Sequence, residues 1–144
     1  MKADAPTLIG DVLLLASNAE EVSLIKSASS DTRFTVVHAS EAVMPVLRRE
    51  GKFTGSPRPD LVLLDVDLSD RTDCAILQEI KLDPALRRIP VVILAPESAV
   101  DCVQRAYELR ANACVLKPEH PEKLVRVIRA TLMFWLNLAR LPKD

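Results

Sequence analysis

Asp65 and Asp67 close the most hydrophobic segment of the chain, RPDLVLLDVDLSD (58–70). Two acids in that position can form a turn, hold a hard cation, supply a nucleophile, or simply solvate the end of a strand. A second apolar run, ACVLK, ends in Lys117. Asp65 and Lys117 therefore either converge in a site or form a structural ion pair at the rim of a sheet, since ionisable groups at strand ends mark function only probabilistically.

Five segments can carry such strand ends: 11–16, 33–37, 61–65, 90–95 and 113–117. Four of them are continuous apolar runs, as expected of strands buried on both faces of a parallel sheet. Helical stretches lie between them. Asn18 stands three residues before Glu21, and Ser98 three before Asp101, which predicts a capped helix start at each. Pro121 suits the first turn of a last helix. Ile76–Leu77–Ile80 and Cys102–Ala106–Leu109 each give one apolar stripe. GKFTGSPRP (51–59) reads as the longest loop. The order is β-α repeated five times, which predicts an α/β fold with a doubly wound, five-stranded parallel sheet and helices on both faces. The leading strand order is the flavodoxin-like 2-1-3-4-5, whose ligands collect at the carboxyl ends of the strands, beside the switch between strands 1 and 3. The predicted boundaries are a tail over 1–9, one domain over 10–138 and a tail over 139–144.

Composition narrows the function. The 144 residues suffice for one core, with 49% hydrophobic and 27% charged residues. Nineteen basic against twenty acidic residues leave no field to attract nucleic acid, and 3% aromatics leave no stacking platform. The start, MKADAPTLIGD, lacks the apolar core of a signal peptide, and no run approaches a membrane span. Cys74, Cys102 and Cys114 are odd in number and show no C-x-x-C spacing, which reads as reduced thiols in a cytoplasmic protein. Three glycines form neither G-x-G-x-x-G nor a P-loop, and the turn ASNAEE puts acids, not glycine, at a helix start, where they complement its dipole and repel anions. His38 and His120 have no second ligand at metal spacing, and His38 is expected to lie away from the site. Arg48–Arg49 and Arg87–Arg88 read as solvated helix ends.

The five-unit order, together with LVLLDVDL, KLDPALRRIPVVILA and ACVLKP, resembles the receiver domain of two-component response regulators over roughly residues 10–138. The segment joining the third helix to the fourth strand and the tail MFWLNLARLP are most similar to single-domain regulators paired with phytochrome-type histidine kinases. The resemblance implies that Asp65 is the phosphoacceptor and that Lys117 contacts the phosphoryl oxygens. It also implies Mg2+, held weakly by Asp65 and the main-chain carbonyl of Asp67, and a phosphorelay partner in a sensor histidine kinase.

The chain departs from that family at four site positions. Ala16 and Ser17 stand where two metal-holding acids are usual. Ala95 stands for the Ser or Thr that bonds the phosphoryl group, and Cys114 for the aromatic that rotates with it. Thr72–Asp73 match the family's Asp-Gly. Phosphorylation at Asp65 is one reading; a phosphorylation-independent interaction module is the alternative. LLDVD also fits the D-x-D of haloacid-dehalogenase-type phosphatases, but it lies on the third strand rather than the first and lacks the later acidic pair.

LMFWL (132–136) places five large apolar residues in succession on the last helix. At about 100° per residue they point all round it. Phe134 and Trp135 either fold back over their own sheet or form a partner surface. The expected partner is a second copy, docking through the fourth helix, fifth strand and fifth helix. No DNA-binding domain is expected after ARLPKD, so output is expected to pass through another protein.

Overall fold

The computed structural model describes residues 8–138; the tail assigned to 139–144 and most of that assigned to 1–9 lie outside them. Five strands alternate with five helices: β1 (Gly10–Leu15), α1 (Ala19–Ser27), β2 (Thr32–Val37), α2 (Val43–Leu47), β3 (Leu61–Asp65), α3 (Arg71–Leu82), β4 (Val91–Pro96), α4 (Val100–Glu108), β5 (Ala113–Lys117) and α5 (Pro121–Met133). A 3-10 turn, Ser40–Ala42, leads into the short α2, and another, Gly51–Phe53, sits within the predicted loop. All strand pairs are parallel, in the order β2-β1-β3-β4-β5. Every predicted strand is present, with ends shifted by no more than one residue.

The pleat of the sheet sorts the strand residues into two cores, because successive side chains point to opposite faces. Val12, Leu14, Ala16, Leu61, Leu63, Val92 and Leu94 pack with Ile25 of α1 and Leu124, Ile128 and Leu132 of α5. Leu13, Leu15, Val62, Leu64, Ile93 and Ala95 pack with residues of α2, α3 and α4. Ile76, Leu77 and Ile80 bury the predicted stripe of α3. Leu8 is buried, and its carbonyl accepts from the Thr32 hydroxyl at 2.5 Å.

Helix starts follow the capping chemistry in part. The Asn18 side chain accepts from the Glu21 N–H at 2.9 Å, as its spacing predicts. Pro121 occupies the first turn of α5. Ser98 does not cap α4. The Ala99 N–H bonds the Pro96 carbonyl at 2.9 Å, closing a turn that makes Ala99 the residue preceding the helix, without a side-chain cap. Ser98 sits inside that turn, one position too early.

After Met133 the last helix widens into a π turn over Phe134–Leu138. The wider turn changes the angular spacing of the apolar run. Leu132 is fully buried; Met133, Trp135 and Leu136 are partly buried against the α1/α5 core. Phe134 alone of the five is counted among the exposed large hydrophobics, at 50% exposure, with its ring edge-on to Trp135 at 4.9 Å. The folding-back reading thus describes Trp135, while Phe134 is half in solvent.

Candidate functional site

Asp65 continues the β3 alternation that sends Leu61 and Leu63 toward α1 and α5. Lys117 does the same on β5, after Ala113 and Val115. The two side chains therefore emerge at the carboxyl edge on the same face, on either side of β4, and they meet there. Lys117 Nζ donates to both Asp65 Oδ1 and Oδ2 at 2.8 Å. A third bond from Nζ, also 2.8 Å, goes to Glu21 Oε1. The sheet rim thus holds a carboxylate–ammonium–carboxylate cluster that is mostly shielded: Lys117 is 13% exposed, Asp65 16% and Glu21 30%.

Glu21 is the residue that sequence reading missed. Its acid was assigned to the helix dipole, which it also serves from the first turn of α1. The signal was the cap itself. Asn18 fixes the start of α1 directly after β1, so the third residue of the helix overhangs the carboxyl edge of the sheet. Glu20, one residue earlier, is exposed.

The cluster shapes its own proton affinities. Burial, then the hydrogen bond with Glu21, pushes the Asp65 carboxyl up to about 6, and Lys117 pulls against both. Burial would raise Glu21 as well, but its bonds to Asp65 and Lys117 outweigh burial and hold it below the usual value. Burial works against the Lys117 charge, yet its bonds to Asp65 and Glu21 raise its pKa. An Asp65 oxygen thus lies beside a fixed positive charge, the arrangement a carboxylate nucleophile needs.

Asp67 plays a different part. Its carboxylate accepts from the Ser69 N–H at 2.9 Å and the Ser69 hydroxyl at 2.7 Å, bonds that lower its pKa. These bonds favour the anion and hold the side chain in a turn with Ser69. The Asp67 carbonyl accepts from the Asp70 N–H at 3.0 Å, leaving one lone pair. Asp73 holds this loop in place, accepting from the Asp67 N–H at 3.2 Å and from the Ser40 hydroxyl at 2.7 Å.

The four departures occupy the expected places. Ala16 is fully buried at the end of β1, and Ser17 follows it, exposed. His38 was expected away from the site, but its Nδ1 lies 3.1 Å from the Ala16 carbonyl, because β2 and β1 run in register. Ala95 and Cys114 belong to the opposite face, against the α2/α3/α4 core. Burial, with Cys102 nearby, pushes the Cys114 thiol up to about 11, so it is not a reactive thiolate. The Cys114 N–H instead donates to the Tyr107 hydroxyl of α4 at 3.3 Å.

Carboxylate and carbonyl oxygens are the donors that suit Mg2+, which accepts one or two carboxylates and keeps several waters. Asp65 and the Asp67 carbonyl are the groups that would hold it. Among the described residues no cluster of three or more His, Cys, Asp or Glu is placed to hold a metal, and Lys117 already bridges the carboxylates. With two protein oxygens at most, most of the shell of such an ion would be water.

A doubly wound sheet with an acid and a lysine paired at the ends of β3 and β5 defines a receiver. The chain belongs to the response regulator receiver domain family, whose model matches residues 17–129. It is 32% identical to the response regulator Rcp1 of Synechocystis over 136 residues, covering 91% of this chain and 92% of that protein. The phosphorylated cyanobacterial phytochrome response regulator RcpA superposes with a TM-score of 0.85 at 32% identity, over 94% of this chain and 99% of that one. The Mn2+-bound form of Rcp1 gives 0.82 at 31% identity, over 93% and 99%. No helix among the described residues is long and apolar enough to cross a membrane.

Proposed function

We propose that Asp65 accepts a phosphoryl group from a phytochrome-type histidine kinase, and that the protein relays the signal by contact with other proteins. The observation that carries this is the Lys117 ammonium held 2.8 Å from both Asp65 oxygens. In the transfer, an Asp65 oxygen attacks phosphorus, the P–N bond to the kinase imidazole breaks, and its electron pair stays on that nitrogen. Asp65 becomes an acyl phosphate. Such a transfer depends on alignment and on neutralising the equatorial oxygens, and Lys117 supplies one positive charge for that. Mg2+, when bound, supplies further neutralisation. The protein is then a phosphoryl acceptor and not a turnover enzyme. The kinase class is supported by the likeness to the phytochrome regulator RcpA, and the three unpaired cysteines suit a cytoplasmic setting.

The test is incubation with acetyl phosphate and Mg2+ followed by intact mass measurement. A gain of one phosphoryl group in the native chain, lost in Asp65→Asn, is expected. No gain from acetyl phosphate or from a phytochrome-type kinase would leave the second reading, a phosphorylation-independent binding module. That reading is favoured by Ala16, Ser17, Ala95 and Cys114.

For output we propose a homodimer through α4, β5 and α5. Val100 (73% exposed), Tyr107 and Leu116 offer apolar surface on α4 and β5, and Phe134 is exposed just after α5. Light scattering should give a mass that rises toward twice the monomer with concentration. A constant monomer mass refutes the dimer.

A further inference from the structure

The usual hydroxyl–aromatic pair is replaced by Ala95 and Cys114 on the α4 side of the sheet, so phosphorylation needs another way to be felt. The geometry points to one: we propose that Glu21 is a positioning residue for Lys117, and that a phosphoryl group on Asp65 takes its place, releasing Glu21 into the groove between α1 and α5. This rests on Asp65 as the phosphoacceptor and names how that same site is read out.

Three observations support the exchange. A lysine ammonium has three N–H donors, and here all three are committed, two to Asp65 and one to Glu21 Oε1. A phosphoryl group brings three acceptor oxygens and a charge of about −1.5 to −2, while the Asp65 oxygens lose their charge on becoming an acyl phosphate. The Lys117 donors therefore turn toward the phosphoryl oxygens, and Glu21 is left competing with a stronger anion. Of the two carboxylates, Glu21 is the one free to leave. It is the more exposed and is not bonded to the phosphorus, and like-charge repulsion drives it away.

Glu21 also has somewhere to go. A groove of about 300 Å³ adjoins Lys117, lined by Glu21 itself, Leu24, Pro121 and Leu124 and also by the acids Glu20 and Glu119, so the released carboxylate stays on its solvent side. The pleat that sets Asp65 and Lys117 on the α1/α5 face puts the exchange on this side of the sheet and away from α4. The first turn of α1 stays anchored by Asn18, so the side chain swings while the helix start holds.

The experiment uses the full chain with methyl-labelled leucine and amide-labelled backbone, followed by NMR with Mg2+ and beryllofluoride as the phosphoryl mimic. The methyls of Leu24 and Leu124 are expected to shift in the native chain and to stay fixed in Asp65→Asn. In Glu21→Gln, compared with its own spectrum lacking beryllofluoride, the Asp65 and Lys117 amides should still respond to beryllofluoride while the Leu24 and Leu124 methyls no longer do. A merely structural role would not produce that loss of response. In the native chain, movement of the Asp65 and Lys117 amides with both methyls unmoved overturns the exchange and leaves the phosphoacceptor standing. Beryllofluoride binding seen only in Glu21→Gln supports Glu21 as the occupant to be displaced. No response in either protein sinks the phosphoacceptor reading and the exchange with it.

Discussion

The carboxylate of Glu21 lies 2.8 Å from the ammonium of Lys117, across 96 positions of sequence. This contact joins the first helix to the last strand directly over Asp65. It also makes the site a two-carboxylate one, although the strand ends alone supply only Asp65. The missing acids of β1 are thus partly offset in charge by an acid from the next element.

The proton affinity of Asp65 predicts an unusual pH dependence of stability. Its carboxyl titrates near 3.8 when unfolded and at about 6 in the fold, so between these values the native state holds the extra proton. Stability from this group therefore falls as pH rises through that window, and the penalty is complete above about 6. Glu21 works the other way: its lowered pKa contributes stability above 4.5 that is lost as pH falls below it. Asp65→Asn should flatten the decline between about pH 4 and 6. At pH 7.5 it should stabilise the fold by about 1–2 kcal/mol, allowing for solvent at the rim, or roughly 3–6 °C in Tm. A lower Tm for Asp65→Asn at pH 7.5 would contradict the assignment.

Removing the ammonium should have the opposite sign. Lys117→Met leaves Asp65 and Glu21 facing each other without a counter-charge, and two adjacent carboxyls resist double ionisation. The Asp65 titration should move above about 6, read by carbon NMR of the carboxyl group. Urea unfolding should show a loss of about 1–3 kcal/mol at pH 7.5, smaller at pH 5, where one proton is shared. Equal losses at both pH values would mean that the lysine acts through packing alone.

Much of this was legible in the sequence, for physical reasons. Continuous apolar runs such as LVLL and VVIL have one good home, a strand covered on both faces, and in a doubly wound sheet the strand ends locate the site. Asp65 and Lys117 follow from that. Glu21 does not, because an acid in a first helical turn is explained equally well by the dipole, and only the phase set by Asn18 turns it inward. Ser98 failed as a cap because capping spacing cannot reveal where the preceding turn closes. His38 beside Ala16 depended on strand register, and the π turn at Phe134 on packing, neither of which is visible in residue types.

At the far end of the sheet, Asn112 makes a testable clasp. Its Oδ1 accepts from Lys81 Nζ at 2.6 Å and from the Val91 N–H at 2.8 Å, tying α3, β4 and the start of β5 together. Lys81 also donates to the Ile89 carbonyl at 3.0 Å, so it keeps some satisfaction if Asn112 is lost. The Val91 amide does not, since no other acceptor is bonded to it. Asn112→Ala should therefore cost about 1–3 kcal/mol by urea unfolding, with faster hydrogen exchange at the Val91 amide. A loss below about 0.5 kcal/mol would mean that water replaces the side chain.

The seal of the C-terminal turn over β1 can be tested at Gly10. A Cβ there would lie 3.0 Å from Leu136 Cδ2 and 3.2 Å from Asp60 Oδ2. Asp60 cannot retreat freely, because its Oδ2 accepts from the Asp11 N–H at 2.9 Å. Leu136 must give by a few tenths of an ångström, by tilting its terminal methyls or by lifting the π turn that carries Phe134 and Trp135. Gly10→Ala is therefore expected to destabilise the fold by about 1–2 kcal/mol and to increase the solvent exposure of Trp135, seen as a red shift and stronger acrylamide quenching of its fluorescence. Leu136→Ala in the same background should relieve the crowding and restore part of the loss, because the clashing atoms are gone. If the double variant is no more stable than the sum of the single effects predicts, the turn is not packed on Gly10 in solution.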